Sequence, residues 1–283
     1  MESFFLGNKP IISVNIGDDN ISSVGYPLEA ETLAFITASG ITSETEIGAV
    51  NYLVYRLKEE NLFDEFYALY PFVGSTSTSN GINLIDTTKY EITWFGSWTY
   101  NSNGITGNGT DTRASTLFSP GSANNPTQQT YNLSNSLHVY NRTLGTETDG
   151  DMGVAAGSGQ QVLSVKVASG AVYTYSLYGT ADWSATATLG TNEEIGFFSG
   201  NIKESEPASK GLFKNGQLIA SGVGSNPTGS VGITGTRDIG RIQTNYTSRN
   251  YALAAIGKGL SVSQYPTLYN IVQNYQAILG RAV

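Results

Sequence analysis

GLFKNGQLIASG, residues 211–222, places two short apolar runs around an Asn-Gly pair. Asn215 and Gly216 both tolerate positive φ, which the tightest two-residue turns demand, so the stretch predicts an antiparallel hairpin. The same texture continues on either side. In QQVLSVKVASGAVYTYSLYG, residues 160–179, Leu163, Val165 and Val167 alternate toward one face, Ser169-Gly170 supplies a turn, and Tyr173, Tyr175 and Leu177 alternate on the way back. ITWFGSWTY (92–100), NSLHVYNRT (135–143), EIGFFSG (194–200), TRDIGRIQ (236–243) and YALAAIGKG (251–259) add further strands. So many short strands with no long helix between them predict two packed sheets or a barrel.

Helical patterns flank this region. Ser43-Glu44-Thr45-Glu46 reads as a capping box, in which Ser43 accepts from the Glu46 N–H and the Glu46 side chain reaches back. Ile47, Val50, Leu53, Val54 and Leu57 then recur at helical spacing. An earlier helical turn over Glu31–Ser39 is set off by Gly40, and LFDEFYALYP (62–71) predicts a short second helix stopped by Pro71. At the other end, LSVSQYPTLYNIVQNYQAILGRAV (260–283) predicts a terminal helix with Ser263 at its N-cap and Pro266 in its first turn. Its stripe of Leu268, Ile271, Val272, Tyr275, Ile278 and Leu279 should lie on the outside of a sheet.

Composition narrows the function classes. The 283 residues contain no cysteine, which excludes disulfides, thiolate metal sites and cysteine nucleophiles. The net charge is −8, and residues 27–70 hold eight acids against two bases. No basic face is in view, so nucleic-acid binding is not expected. MESFFLGNKP lacks a basic, then apolar, secretory pattern, and no apolar run is long enough to span a bilayer.

Four segments, read together, resemble a known group. KNGQLIASG resembles the hairpin of concanavalin A-like jelly rolls, the fold of legume lectins and laminin-G-like domains. AETLAFITASGIT (30–42), AVNYLVYRLKEENLFDEFYALYPFVG (49–74), GNGTDTRASTLFSP (107–120) and AAIGKGLSVSQYPTLYNIVQNYQAILGRAV (254–283) are similar to bacteriophage virion proteins, especially of phages infecting Bacteroidetes. The resemblance implies a mainly β fold: a concanavalin A-like jelly-roll sandwich with an N-terminal β repeat, a helical lead-in and a C-terminal helix. It divides the chain into 1–26 (repeat), 27–73 (lead-in) and 74–283 (jelly roll with its helix). It further implies a head or tail fibre or decoration protein, assembled in the bacterial host cytoplasm and located in the virion. Expected partners are other virion proteins, copies of the chain itself (a trimer before a dimer) and host-surface or mucosal glycans, without membrane insertion.

The opening stretch GNKPIISVNIGDDNISSVGY (7–26) nearly repeats itself after ten residues, as KPIISVNIG and NISSVGY. These copies resemble the short repeats at the start of phage fibre and tail proteins. Ile12, Val14 and Ile16 share one face, and Val24 and Tyr26 can share it in the second copy. A lone hairpin is marginal in water. These five residues are therefore candidates for attachment or oligomerisation, against the plainer alternative of a hairpin folded onto its own domain.

Catalytic patterns are thin. A glycosidase of this fold needs paired carboxylates on one strand face, and no E-x-D-x-x-E run occurs. Glu193-Glu194 and Glu204/Glu206 do not supply that geometry. His138, the single histidine, has no G-x-S-x-G partner motif and reads as structural. No enzyme is expected on these grounds. Thr148-Asp149-Gly150-Asp151 sets two carboxylates in a loop, but Ca²⁺ takes six to eight oxygens, so turn chemistry is the default and Ca²⁺ the minor alternative. No other cofactor is expected. Among the aromatics, Trp94, Trp98 and Tyr100 alternate on one strand, and Trp94 and Trp98 read as core, whereas Trp183 and Tyr246 sit in polar turns and are the glycan-contact candidates. The alternatives to the virion protein are a stand-alone carbohydrate-binding module and, behind it, a polysaccharide hydrolase.

Overall fold

The computed structural model describes residues 12–16, 19–23, 27–121, 125–145, 150–156, 159–165, 172–178, 183–188, 193–224, 235–242 and 244–283. Its centre is a sandwich of two antiparallel sheets, which bears out the mainly β jelly-roll expectation. One sheet runs β15 (Gln217–Ser221), β14 (Gly211–Lys214), β13 (Gly196–Lys203), β8 (Ser134–Asn141), β20 (Asn250–Gly257), β6 (Gly104–Thr106) and β5 (Thr99–Asn101). β3 (Phe66–Tyr70) also pairs with β20, toward its C-terminal end. The facing sheet runs β16 (Val223–Gly224), β12 (Trp183–Thr188), β11 (Val172–Tyr178), β10 (Gly159–Ser164), β9 (Gly150–Ala156), β17 (Asp238–Ile239), β7 (Arg113–Ser115) and β4 (Thr93–Phe95). Two further pairs stand apart in hydrogen bonding: β1 (Ile12–Ile16) with β2 (Asp19–Ser23), and β18 (Arg241–Ile242) with β19 (Asn245–Tyr246).

The two sheets differ in what covers them, and their sequences show it. Leu137, Val139, Phe198, Ala254 and Ile256 of the first sheet meet Ala114, Met152, Leu163, Ala185 and Ile239 of the second in the inner core. The first sheet's other face is covered as well. Tyr140, Phe197, Phe213, Leu253 and Ala255 pack against helix α2 (Glu44–Glu59) and the terminal helix (Gln264–Ile278) through Val50, Leu53, Leu57, Leu268, Val272 and Tyr275. Strands buried on both faces read as continuous apolar runs rather than alternation. β20, NYALAAIG, is buried throughout. β12, WSATAT, keeps alternation, with Ala185 buried and Thr186 exposed, because its outer face is open.

The helical ends hold this arrangement. The backbone N–H of Glu29, which precedes α1 (Ala30–Ser39), donates to the side-chain oxygen Oδ1 of Asn51 in α2, and Lys58 of α2 pairs with Glu29 at 2.8 Å and Glu31 at 2.6 Å. The terminal helix lies on the sheet as its apolar stripe predicts. Beyond it, Arg281 is buried, and its guanidinium donates to the carbonyls of Phe72, Pro71 and Ala252 at 2.8–2.9 Å. The chain end is thereby fastened to the start of the sandwich.

Three local expectations are corrected. LFDEFYALYP is a single 3₁₀ turn, Phe63–Glu65, followed by strand β3, because Ala68 and Tyr70 enter the inner core while Leu69 between them enters the helix-side core. Trp94, Trp98 and Tyr100 do not share one strand. The chain crosses between the sheets after Phe95, and the rings meet edge-to-face, with centroids 5.6 Å apart for Trp94–Trp98 and 5.1 Å for Trp94–Tyr100. Ser43 does accept from the Glu46 N–H, but the Glu46 carboxylate accepts from the Gly74 N–H at 2.9 Å instead of closing the box. The Asn-Gly hairpin is as read, with φ +49° at Asn215 and +78° at Gly216.

Candidate functional site

On the second sheet, β4, β7 and β17 pair in register: Phe95 faces Arg113, and Ser115 faces Asp238. Ala114 and Ile239 point into the inner core, so by alternation Phe95, Arg113 and Asp238 project from the opposite, outer face. The β18–β19 pair follows at once and packs on β9. Gly240 makes that turn, with φ +76° and its missing Cβ 2.6 Å from the Trp98 ring, a place that only glycine fits.

These elements align a row of side chains. The Arg113 guanidinium lies 3.8 Å from the centroid of the Phe95 ring, which is 42% exposed. The Asp238 carboxylate stands 3.9 Å from Arg113 and 3.9 Å from Arg241. Arg241 in turn lies 5.6 Å from the centroid of the half-buried Tyr246 ring. Burial raises the Asp238 carboxyl above its ordinary value, opposed by Arg113, Ser115 and Arg241. Two accessible rings, two cations and one carboxylate on a rigid sheet edge can stack on the apolar face of a small ring and hydrogen-bond its polar edge.

Of the glycan-contact candidates, Tyr246 belongs to this row, while the side chain of Trp183 lies outside the described residues. Of the attachment candidates, Ile12, Val14 and Ile16 lie on β1, which pairs with β2 so that Val14 faces Ile21 and Ile12 faces Ser23. Their side chains, and the whole of Val24 and Tyr26, lie outside the described residues. Phe95, Arg113, Asp238 and Arg241 were not singled out from sequence. Asp238 and Arg241 are three apart in TRDIGRIQ, a weak signal, and nothing in the sequence joins them to residue 113.

The other polar clusters are internal. Asp151 is fully buried, and Arg249 (3.0 Å), Tyr251 (3.0 Å) and the Val165 N–H (2.7 Å) all donate to it. A carboxylate ringed by donors holds no Ca²⁺, and this corrects the calcium alternative at Asp151; Asp149 lies outside the described residues. Among the described residues no three His, Asp or Glu side chains group as metal ligands. Glu194 completes the cluster, accepting from Arg249 at 2.8 Å and the Gly145 N–H at 3.0 Å. Burial opposes the Arg249 charge, but Asp151, Tyr251 and Glu194 outweigh it and hold the guanidinium above its ordinary value. His138 is buried between the hydroxyls of Ser199 (2.7 Å) and Ser136 (2.8 Å) and stacks on Phe197. Burial lowers its pKa to about 3.

No family model matches the chain, nor does any curated protein. Among solved structures it is similar to domain 4 of AbnA, a GH43 extracellular arabinanase from Geobacillus stearothermophilus, determined in complex with arabinotriose. That likeness has 16% identity and a TM-score of 0.51, covering 72% of this chain and 98% of the domain. A sialidase of Trypanosoma rangeli also matches, at 11% identity and a TM-score of 0.39, over 79% of this chain but 39% of the sialidase. The second likeness is too loose to bear on this chain. The fold is thus a β-sandwich shared with a domain of a carbohydrate-active protein. The expectation that no enzyme is involved is corrected, because the fold is similar to that of a domain of an arabinanase. At 16% identity the likeness shows the fold and assigns no activity. Neither is a virion protein, and they lend the phage resemblance no support.

Proposed function

We propose that this chain is a carbohydrate-binding protein whose glycan face is the outer edge of the second sheet. The row Phe95–Arg113–Asp238–Arg241–Tyr246 carries this reading. It presents two accessible rings flanked by side chains that donate and accept hydrogen bonds. Aromatic faces take the C–H side of a sugar while charged groups at the rim fix its hydroxyls. The likeness to a domain determined with arabinotriose supports the same reading. A glycan array probed with the full chain tests it. Tyr246→Ala and Phe95→Ala should each weaken binding about tenfold, on the order of one lost ring contact. Unchanged binding in both variants refutes the assignment of the face.

A second reading, display on a virion, is favoured by one observation: β1 and β2 form a two-stranded sheet that hydrogen-bonds to no other described strand. Such a pair gains stability by docking on sister copies or on a larger particle. Sedimentation of the full chain as a monomer at all concentrations would sink the oligomeric part, and its absence from purified particles by mass spectrometry would sink the rest.

A further inference from the structure

We propose that Leu117 is an apolar contact of the glycan face and receives an exocyclic methyl group of the bound saccharide, carried by a deoxyhexose or by an acetamido group. This rests on the carbohydrate-binding reading above and names a feature of the ligand that the aromatic rings do not select.

The fold by itself does not reward the conformation of Leu117. Its φ is +57°, where the Cβ of an L-residue crowds the following carbonyl. Phe72 and Tyr90 also have positive φ, at +48° and +60°, but Phe72 is fully buried and Tyr90 packs edge-to-face on Phe118. Leu117 is 51% exposed. Among the described residues it is the one bulky side chain that joins a left-handed backbone to such exposure. Strain retained for a side chain half in solvent points to a contact outside the chain.

A β-bulge creates the position. The Thr116 N–H donates to the Arg237 carbonyl at 3.0 Å and the Arg237 N–H to the Phe118 carbonyl at 3.1 Å, so Leu117 is the extra residue opposite Arg237. The Thr116 hydroxyl fixes the bulge, donating to the Arg237 carbonyl at 2.7 Å and accepting from the Phe118 N–H at 3.3 Å. Thr116 and Phe118 are fully buried, and Leu117 between them projects outward. Glycine is the usual residue at a left-handed bulge position, and such bulges re-aim side chains next to sites. Leucine here keeps the strain and adds an apolar tip.

That tip continues the glycan face. Leu117 follows Arg113 by four residues, roughly 13 Å along the strand. Ser115, between them, pairs with Thr93 on one side and Asp238 on the other, and Thr93 is exposed. A saccharide that touches both Phe95 and Leu117 is therefore an oligomer. Leucine has neither a ring on which a pyranose stacks nor a polar atom, so its complement is a small apolar group, and on a sugar that group is a methyl.

Titration of the full chain on a glycan array with matched pairs tests this. Fucosyl and L-galactosyl oligosaccharides differ by a methyl against a hydroxymethyl group, and chitotriose and cellotriose by acetamido against hydroxyl groups. The methyl-bearing member of one pair should bind about fourfold tighter, the worth of one buried methyl, and the pair that shows the preference identifies its source. Leu117→Gly relieves the backbone and removes the tip, so it should abolish the preference while melting no lower than the native chain. Equal binding within both pairs, with Tyr246→Ala still weakening it, overturns the methyl contact and leaves the carbohydrate reading standing. A preference that survives Leu117→Gly, or a lower melting temperature for that variant, overturns the role of Leu117. Binding of no saccharide overturns both readings.

Discussion

The His138 imidazole is a proton-sensitive joint between the first sheet and the terminal helix. Its nitrogens pair with the Ser136 and Ser199 hydroxyls, and its ring lies against Phe197, Phe66 and Tyr265. Burial takes its pKa from 6.5 to about 3, so between those values the folded chain binds fewer protons than the unfolded one. Stability therefore falls as pH drops through that window. At about 1.4 kcal/mol per unit, acidification from pH 7 to pH 4 costs roughly 3 kcal/mol through this one group. Urea unfolding followed by tryptophan emission, at both pH values, measures the difference. His138→Gln retains a donor and an acceptor but has no titration, so its own pH dependence should be shallower by that same roughly 3 kcal/mol, whatever its stability at pH 7. Parallel pH dependence in the native chain and the variant would refute the reasoning, since it would mean the ring is protonated without penalty.

Three further outcomes are expected. Arg249→Met strips the cation from between buried Asp151 and Glu194 and should lower stability by about 3–5 kcal/mol, part of which Asp151→Asn in the same chain restores; thermal melts of the single and double variants check both. Arg281→Ala removes the guanidinium that binds the Pro71, Phe72 and Ala252 carbonyls, of which Pro71 keeps the Tyr275 hydroxyl and Ala252 the Gln276 amide, and should cost about 3 kcal/mol in urea unfolding, with Arg281→Lys recovering less than half because an ammonium cannot span the fork. Gly240→Ala sets a Cβ against Trp98 at positive φ, so it should lose about 1–2 kcal/mol in conformational strain. Because the same change shifts the β18–β19 pair, its loss of glycan binding should exceed that of Tyr246→Ala.

The amphipathic stripe of the terminal helix was legible because both its neighbours and its period are local properties. So was the Asn215-Gly216 turn, where two consecutive left-handed residues leave few alternatives. LFDEFYALYP was misread for the converse reason. Its apolar positions fit a helix, but Ala68 and Tyr70 face one core and Leu69 between them the other, and only the alternation of a strand, paired with β20, satisfies both. Trp98 is core and Trp94 half-buried against it, but not through a shared strand face, since the chain leaves one sheet for the other between them.

The site divides in the same way. Tyr246 could be singled out from sequence because a large ring in a polar stretch is costly to hide. Its companions could not. Residue 113 meets residue 238 only because β7 and β17 are neighbours in the second sheet, a pairing set by closure of the whole sandwich. Strand alternation, turn chemistry and helix stripes follow from each residue's immediate neighbours, and the chain states them alone. Which strands lie side by side depends on burying two apolar cores at once, so the assembly of the Phe95–Tyr246 row and the burial of three arginines are decisions of the tertiary structure.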